Sequence, residues 1–294
     1  MTPEPRRRRL AFSLRMLMLV ILGIACWLGW ITNKAREQRR AVEAIREYGG
    51  FVHFDYEMAN GNLVLGREPS APRWLRMLVG DAYFQDVAWV SLVYDSSSGK
   101  RYETARSDDR ILAELEHFPQ LKYLLFQKGQ ATDAGLAHIR GLNELECVYM
   151  WDPAELTDAG VAHLRGLKNL RTLHISKSKM TDAGLAWLKD LTRLENLSLQ
   201  DNHFTDRGLA HLRNLKNLKQ LHVGLGDNRF TDDGLAQLEP LVNLKVLDLQ
   251  GSPITDKGLV HLKALPKLRE IWISQTQITD EGLKMLPDLK KALK

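Results

Sequence analysis

Cysteine is nearly missing from this sequence. Its 294 residues hold two, Cys26 and Cys147. One sits in an apolar N-terminal run and the other far along the chain, so neither a disulfide framework nor a zinc-ligand spacing can be built from them. A surplus of one charge is missing too. The 41 Lys and Arg stand against 36 Asp and Glu, and Arg6, Arg7, Arg8 and Arg9 nearly account for the net +5. The rest mixes both signs, which argues against a nucleic-acid surface, where basic residues gather on one face. Signatures of chemistry are also lacking. Gly224-Leu225-Gly226-Asp227 has no Lys-Ser/Thr after it and reads as a lengthened loop, not a phosphate cradle. No Asp-x-Asp-x-Asp density suits calcium. No Ser-His-Asp, Cys-His or paired-carboxylate arrangement stands out. These absences point away from an enzyme, a metal site, a small-molecule cofactor and a nucleic-acid partner. With 44% hydrophobic and 26% charged residues, the bulk of the chain should still fold.

What is present begins with an apolar run. Arg6 to Arg9 precede Leu10 to Ile31, whose only interruptions are Ser13 and Arg15. The uncharged part, Met16 to Ile31, has 16 residues and would span roughly 24 Å as a helix, short of the ~30 Å hydrocarbon layer. Counting from Leu10 gives 22 residues, with Arg15 able to snorkel to the interface. Trp27 and Trp30 fall where aromatic rings suit the headgroups. A cleaved signal peptide would need a small-x-small site, whereas the run ends Cys-Trp-Leu-Gly-Trp. A lipoprotein signal at Cys26 would need a polar sequel, and the chain stays apolar. The expectation is an uncleaved signal-anchor: a basic cytoplasmic tail over 1–9 and a transmembrane helix over 10–31 that contacts the lipid bilayer. Residues 32–50 would form a juxtamembrane helix or linker. Five Lys or Arg flank each side of the uncharged part, Arg15 included on the N-side, so charge counting gives no orientation. A tail with four consecutive arginines is hard to translocate. That favours a single-pass cell-membrane protein with its N-terminus in the cytoplasm and the remainder outside it. Lys34 to Tyr48 reads as a helix lifting the domain off the bilayer, with a flexible charged linker as the other reading; Gly49-Gly50 would stop it.

The rest of the chain repeats itself. Thr-Asp-x-Gly begins at Thr132, Thr157, Thr181, Thr205, Thr231, Thr255 and Thr279, in steps of 25, 24, 24, 26, 24 and 24 residues. Apolar residues follow at fixed offsets, as in Leu185, Leu188, Leu191, Leu194, Leu197 and Leu199. The three-residue steps suit a short helix with one buried stripe, and the two-residue step marks a strand. Thr would cap the helix and Asp would sit at its positive end. The apolar residue before Thr (Met180, Phe204, Phe230, Ile254, Ile278) would close the turn inward. One such unit cannot bury its own apolar face, but a stack of them shares a continuous core.

This pattern resembles the leucine-rich-repeat family. The strand cores Leu170/Leu173/Ile175 and Leu244/Leu247/Leu249 carry the likeness over about residues 108–294. The Thr-Asp-x-Gly-Leu helix start looks like the subtype abundant in bacterial membrane-anchored repeat proteins. It is also similar to the repeats of F-box substrate receptors, although no F-box segment is present. Asparagine stands at the usual ladder position after the strand only at Asn202, with Ser178, Ser252 and Thr276 elsewhere. The resemblance implies an α/β leucine-rich-repeat solenoid with a parallel concave sheet and convex short helices, behind one N-terminal transmembrane helix. The spacing persists in Leu112, Leu115, Phe118, Leu121, Leu124 and Phe126, with Asp108-Asp109 replacing Thr-Asp. Val87, Val90 and Leu92 fit a further strand, and Leu75, Leu78 and Phe84 a possible helix before it. Residues 51–107 therefore read as an N-terminal cap with a degenerate repeat, Ser96-Ser97-Ser98-Gly99 being a turn within it. Residues 108–294 form the repeat domain, closing on Leu283, Leu286, Leu289 and a lysine-rich cap.

Function should sit where strand residues face away from the core. One such column is Leu125, Tyr149, His174, Ser198, His222, Asp248 and Trp272; its neighbour is Gln127, Trp151, Ser176, Gln200, Gly224, Gln250 and Ser274. Tyr149, Trp151 and Trp272 are the kind of large exposed aromatics that anchor protein partners, and His174, Ser198, His222 and Asp248 would add polar contacts. His138, His163, His211 and His261 share one convex repeat position and read as surface residues. The expected function is a membrane-anchored binding module that takes a protein, or a glycan, on its concave face. The alternative is a structural envelope protein that self-associates.

Overall fold

A computed structural model of the chain describes residues 14–59, 62–64, 67, 69, 71–79, 85–92, 109–126, 132–286, 289 and 291–293. The tail 1–9, residues 10–13 of the apolar run, Phe84, the Ser96–Gly99 turn, Asp108 and Gln127 lie outside the described residues. The two-residue alternation builds nine parallel strands among these residues, in chain order across one sheet. They are β4 (Val87–Leu92), β5 (Tyr123–Phe126), β6 (Cys147–Trp151), β7 (Thr172–Ser176), β8 (Asn196–Ser198), β9 (Gln220–His222), β10 (Val246–Asp248), β11 (Glu270–Trp272) and β12 (Lys291–Leu293). The first strand of the chain, β1 (Phe51–Phe54), pairs antiparallel with β4 and closes the N-terminal edge. A separate two-stranded ribbon joins β2 (Met58–Ala59) to β3 (Asn62–Leu63). At the other end β12 pairs with β11, Ile271 opposite Ala292. Part of the expected lysine-rich cap is thus a further strand in repeat register.

Helices are shorter than the pattern suggests. After α3 (Asp109–Glu114), α4 (Asp133–Leu136) and α5 (Asp158–Val161) make one turn each, α6 (Asp182–Leu188) two, and α7 (Asp206–Leu209), α8 (Asp232–Leu235), α9 (Leu259–Leu262) and α10 (Asp280–Leu283) one. Several tighten into 3₁₀ turns, as over Ala137–Ile139, Ala210–Leu212 and Ala236–Leu238. The spacing explains it. Leucines three apart align on a helix of three residues per turn, not 3.6. Leu185, Leu188, Leu191, Leu194 and their equivalents are sealed from solvent and form one continuous core along the solenoid.

The Thr-Asp-x-Gly string does more than cap helices. Six of the seven threonines accept from an amide at the start of their own helix, Thr231 being the exception. The aspartates of the first six units each reach forward to the threonine of the next. Thr181 donates its N–H to Asp158 Oδ1 at 2.8 Å and its hydroxyl to Oδ2 at 2.7 Å. The same pair recurs from Thr157 to Asp133, Thr205 to Asp182, Thr231 to Asp206, Thr255 to Asp232 and Thr279 to Asp256. In the degenerate unit Asp109 takes the hydroxyl of Thr132 at 2.7 Å. Glycine is required because the clamp passes over it. A Cβ on Gly184 or Gly258 would lie 2.5 Å from the clamping carboxylate of Asp158 or Asp232, and those on Gly160, Gly208, Gly234 and Gly282 closer still. Threonine, aspartate and glycine are thus one device that bolts each unit to the next.

On the strand side, Asn202 donates to the carbonyls of Ile175 and Leu199, both at 2.9 Å, and accepts the N–H of Ser178. Asn228 does the same work, donating to Val223 O at 2.8 Å and accepting the N–H of Phe204 at 3.2 Å. The expectation of a single ladder asparagine is corrected. The inserted loop at Gly224–Asp227 moves Asn228 two residues from the regular offset.

The N-terminal helix α1 (Leu14–Glu47) is unbroken across both the apolar run and the charged stretch that follows. Its last three turns pack on the folded domain. Gln38, Ala41, Val42 and Ile45 are buried, the apolar three joining the solenoid core. At its end Gly49 takes φ +90°. The N–H of Gly50 donates to Ile45 O and that of Gly49 to Arg46 O, a Schellman stop. The helix expected over Lys34–Tyr48 is present and stops at Gly49-Gly50, and its last turns are part of the N-terminal seal.

The clamp carries a measurable consequence. Asp182→Ala is expected to lower stability by about 1–3 kcal/mol by stripping two bonds from Thr205. Asp233→Ala, exposed and outside the clamp, should stay within about 0.5 kcal/mol. Urea unfolding of the full chain in detergent reads both. The backbone N–H and hydroxyl of Thr279 hold the Asp256 carboxyl below its ordinary 3.8. A depressed carboxylate contributes its stability above the unfolded value and loses it as pH falls through the folded one. The contribution of the Asp256–Thr279 pair should thus be constant at neutral pH and disappear only below about pH 4, near the ordinary aspartate value.

Candidate functional site

Strand register fixes the concave face. Ser91, Leu125, Tyr149, His174, Ser198, His222, Asp248, Trp272 and Leu293 pair in sequence across the sheet. Tyr149, His174, Ser198, His222 and Trp272, all proposed from the alternation, line one notch of about 250 Å³. Its floor is Ser198, the smallest side chain between the two histidines in the column. Thr172, Asn196, Gln220 and Gln200 complete it with hydroxyl and amide groups.

The N-terminal wall is a stacked trio. The His174 ring lies 5.6 Å from Tyr149 at 25° and 5.4 Å from Trp151 at 14°. Trp151 is 59% exposed and Tyr149 39%, so His174 is held between rings that themselves face solvent. Its Nε2 stands 3.0 Å from Ser176 Oγ. This burial, with His222 across the notch, pushes the His174 pKa down to about 4. His174 is thus a neutral, oriented hydrogen-bonding group at physiological pH. On the opposite wall His222 meets Trp272 edge to face at 5.5 Å. The indole N–H of Trp272 donates to Glu270 Oε1 at 2.8 Å, which fixes its ring.

Asp248 does not sit on the open face as the column implied. It is fully buried. Its Oδ2 accepts from Gln200 Nε2 at 2.7 Å and lies 3.4 Å from His222 Nδ1, and its Oδ1 accepts the N–H of Gln250 at 3.0 Å. The physical reason is Gly224 in the adjacent strand-end position. A Cβ there would lie 2.7 Å from Asp248 Oδ1, so the missing side chain makes room for the carboxylate to fold inward. Asp248 positions His222 and Gln200 and does not itself contact a ligand. Ser176 and Gly224 of the second column are buried as well.

A third outward column was overlooked. Trp89, Tyr123, Cys147, Thr172, Asn196, Gln220, Val246 and Glu270 stand in register one step before the buried strand residues. Trp89 and Tyr123 stack at 5.4 Å and extend the aromatic surface towards the N-terminal cap. The same alternation extended two residues earlier along each strand would have found them. Burial and the neighbouring Glu146 carboxylate push the Cys147 thiol up to about 12, so it is unreactive at neutral pH. The convex histidines stay apart from this face: His138 and His261 pair with Glu116 and Glu239 of the preceding units. Among the described residues, no three His, Cys, Asp or Glu gather as a metal site.

This architecture has known counterparts. Residues 166–186, 241–263 and 264–286 match the family model described as leucine rich repeat. Together with the strand-and-turn stack, these matches give the chain a leucine-rich-repeat fold. Such domains generally mediate protein binding and typically serve as non-enzymatic scaffolds. Comparison with curated proteins gives no match. Among solved structures, the crystal structure of internalin C2 from Listeria monocytogenes is similar, with 24% identity and a TM-score of 0.41. The likeness covers 62% of this chain and 64% of that one.

The stacked histidine has its own signature. Its C–H resonances should titrate near pH 4 in the folded chain, not near 6.5. Between those values the unfolded chain binds a proton that the folded one refuses. Stability should therefore be complete above about pH 6.5 and fall as pH drops towards 4. Tyr149→Ala with Trp151→Ala uncovers the ring and should return its midpoint towards 6.5 by nuclear magnetic resonance. An unchanged midpoint would show that the stack does not control it.

Proposed function

We propose that the chain is a membrane-anchored recognition module that binds a protein partner in the concave notch between His174 and His222. One observation carries the reading. Aromatic rings, Tyr149 exposed and Trp272 half-buried, border a small polar recess with the exposed Trp151 beside it, and each is held in place by stacking or by a hydrogen bond. Rigid Tyr and Trp anchors around a recess are how protein interfaces concentrate binding energy at low entropic cost. Helix α1 supports the anchor. Its 18-residue window of mean hydropathy 1.9 has none of its surface buried inside the protein. A core helix of that apolarity would be mostly covered, and here Met16, Leu19, Leu22 and Trp30 are more than half exposed. The N-terminus lies in the cytoplasm and the repeats outside it, on the argument that four consecutive arginines resist translocation.

A photo-reactive phenylalanine analogue replacing Trp151 in living cells should give a discrete adduct, absent when the analogue replaces the convex Trp187. An adduct of two copies of this chain would move the reading to self-association, and no adduct from position 151 would sink it. An export-dependent phosphatase fused after Lys294 should be active. An inactive but intact fusion would reverse the orientation.

A further inference from the structure

Helix α1 meets the folded domain almost as soon as its apolar stretch ends. Gln38 is buried, and its Nε2 donates to the carbonyl of Gln85 at 2.6 Å. Seven residues separate it from Ile31, about 10 Å of helix. Headgroups extend about 5–8 Å beyond the hydrocarbon on each side, and charges act over about 8 Å at physiological salt. Whatever surrounds Gln85 therefore stands at the headgroup boundary.

Gln85 lines a cleft with Arg67, Arg73, Arg76, Tyr56 and Met77. Arg73, Arg76 and Met77 come from α2 (Arg73–Val79), which presents Trp74 at 61% and Met77 at 74% exposure. Three residues apart, they share one helix face. Arg67 and Arg73 are exposed. On α1 the same level carries Lys34, Arg36, Arg39 and Arg40, all exposed, against Glu37. Among the described residues, the exposed acids beside the cleft, Asp55 and Asp86, do not balance that charge.

We infer that this underside, the Arg67–Arg73–Arg76 cleft with Trp74 and Met77 beside it, docks on anionic phospholipid headgroups of the bilayer that α1 enters. The inference rests on the anchor reading above. Arginine forks pair bidentately with phosphate. An exposed Trp beside them has the amphipathic ring that settles at headgroup depth. Basic residues held at such a surface gain from each anionic lipid they meet. The domain is thus held at two points, by α1 and by α2, and lies against the membrane.

The full chain in nanodiscs of phosphatidylglycerol with brominated acyl chains tests this, because bromine quenches tryptophan on contact. Trp74→Phe, with an unchanged circular dichroism melt, is expected to lose part of the quenching seen in the unaltered chain. Arg67→Glu with Arg73→Glu should lose the same part while keeping the quenching of Trp27 and Trp30. In brominated phosphatidylcholine discs the Trp74 share should shrink. Equal quenching with and without Trp74 overturns the docking, and an equal Trp74 share in both lipids overturns headgroup recognition. Quenching that does not change on replacing Trp27 and Trp30 with Phe would instead remove the anchor itself.

Discussion

The solenoid depends on one hydrogen-bonded joint, the carboxylate of one repeat holding the threonine of the next. Hydrophobic burial alone would let stacked units slide, since a column of leucines offers similar contact at neighbouring registers. The joint removes that freedom. It needs an acceptor with two oxygens, a donor pair formed by a hydroxyl and its own amide, and no Cβ where the carboxylate passes. Those demands select aspartate, threonine and glycine together. Asparagine could accept only one of the two donors well, because its second terminal atom is itself a donor.

Because clamp, ladder asparagines and leucines settle the frame, outward strand positions carry little structural duty. They hold almost any residue, and this is where the chain departs from its own repeat. Tyr149, His174, Ser198, His222 and Trp272 occupy one column, yet no two neighbours are alike. Variation there costs the fold little and changes the surface completely. The stack of His174 between two rings shows the same separation locally: a side chain with no part in the core is ordered by its neighbours on the face.

Much of this was legible because the chemistry is local and periodic. Spacings of three and two identify turn and strand, and the recurring string locates every unit. The notch also followed, since alternation assigns strand residues to faces without knowledge of contacts. Three things escaped for physical reasons. The role of the aspartates is a contact between residues about 24 apart, which reads as helix capping until units are stacked. Asn228 was hidden by a two-residue insertion that breaks the offset but not the geometry. Asp248 was placed outside because alternation cannot know that a glycine in the adjacent strand leaves room for a carboxylate to turn in.

The N-terminal helix was read as two elements because its composition changes at Lys34, yet the backbone has no reason to break there. No glycine or proline interrupts it between Lys34 and Tyr48. Buried Gln38, Ala41, Val42 and Ile45 recur at helical spacing. One helix thus exposes its whole circumference over the apolar half and buries one stripe over the polar half. This has a mechanical effect that neither half would have alone. A flexible linker would let the solenoid tumble above the bilayer and present its notch in any direction. A continuous helix whose final turns belong to the core transmits its own tilt to the repeats. On the anchor proposed above, the direction in which Tyr149 and Trp272 face would be set at the membrane, and a partner would approach along a fixed bearing.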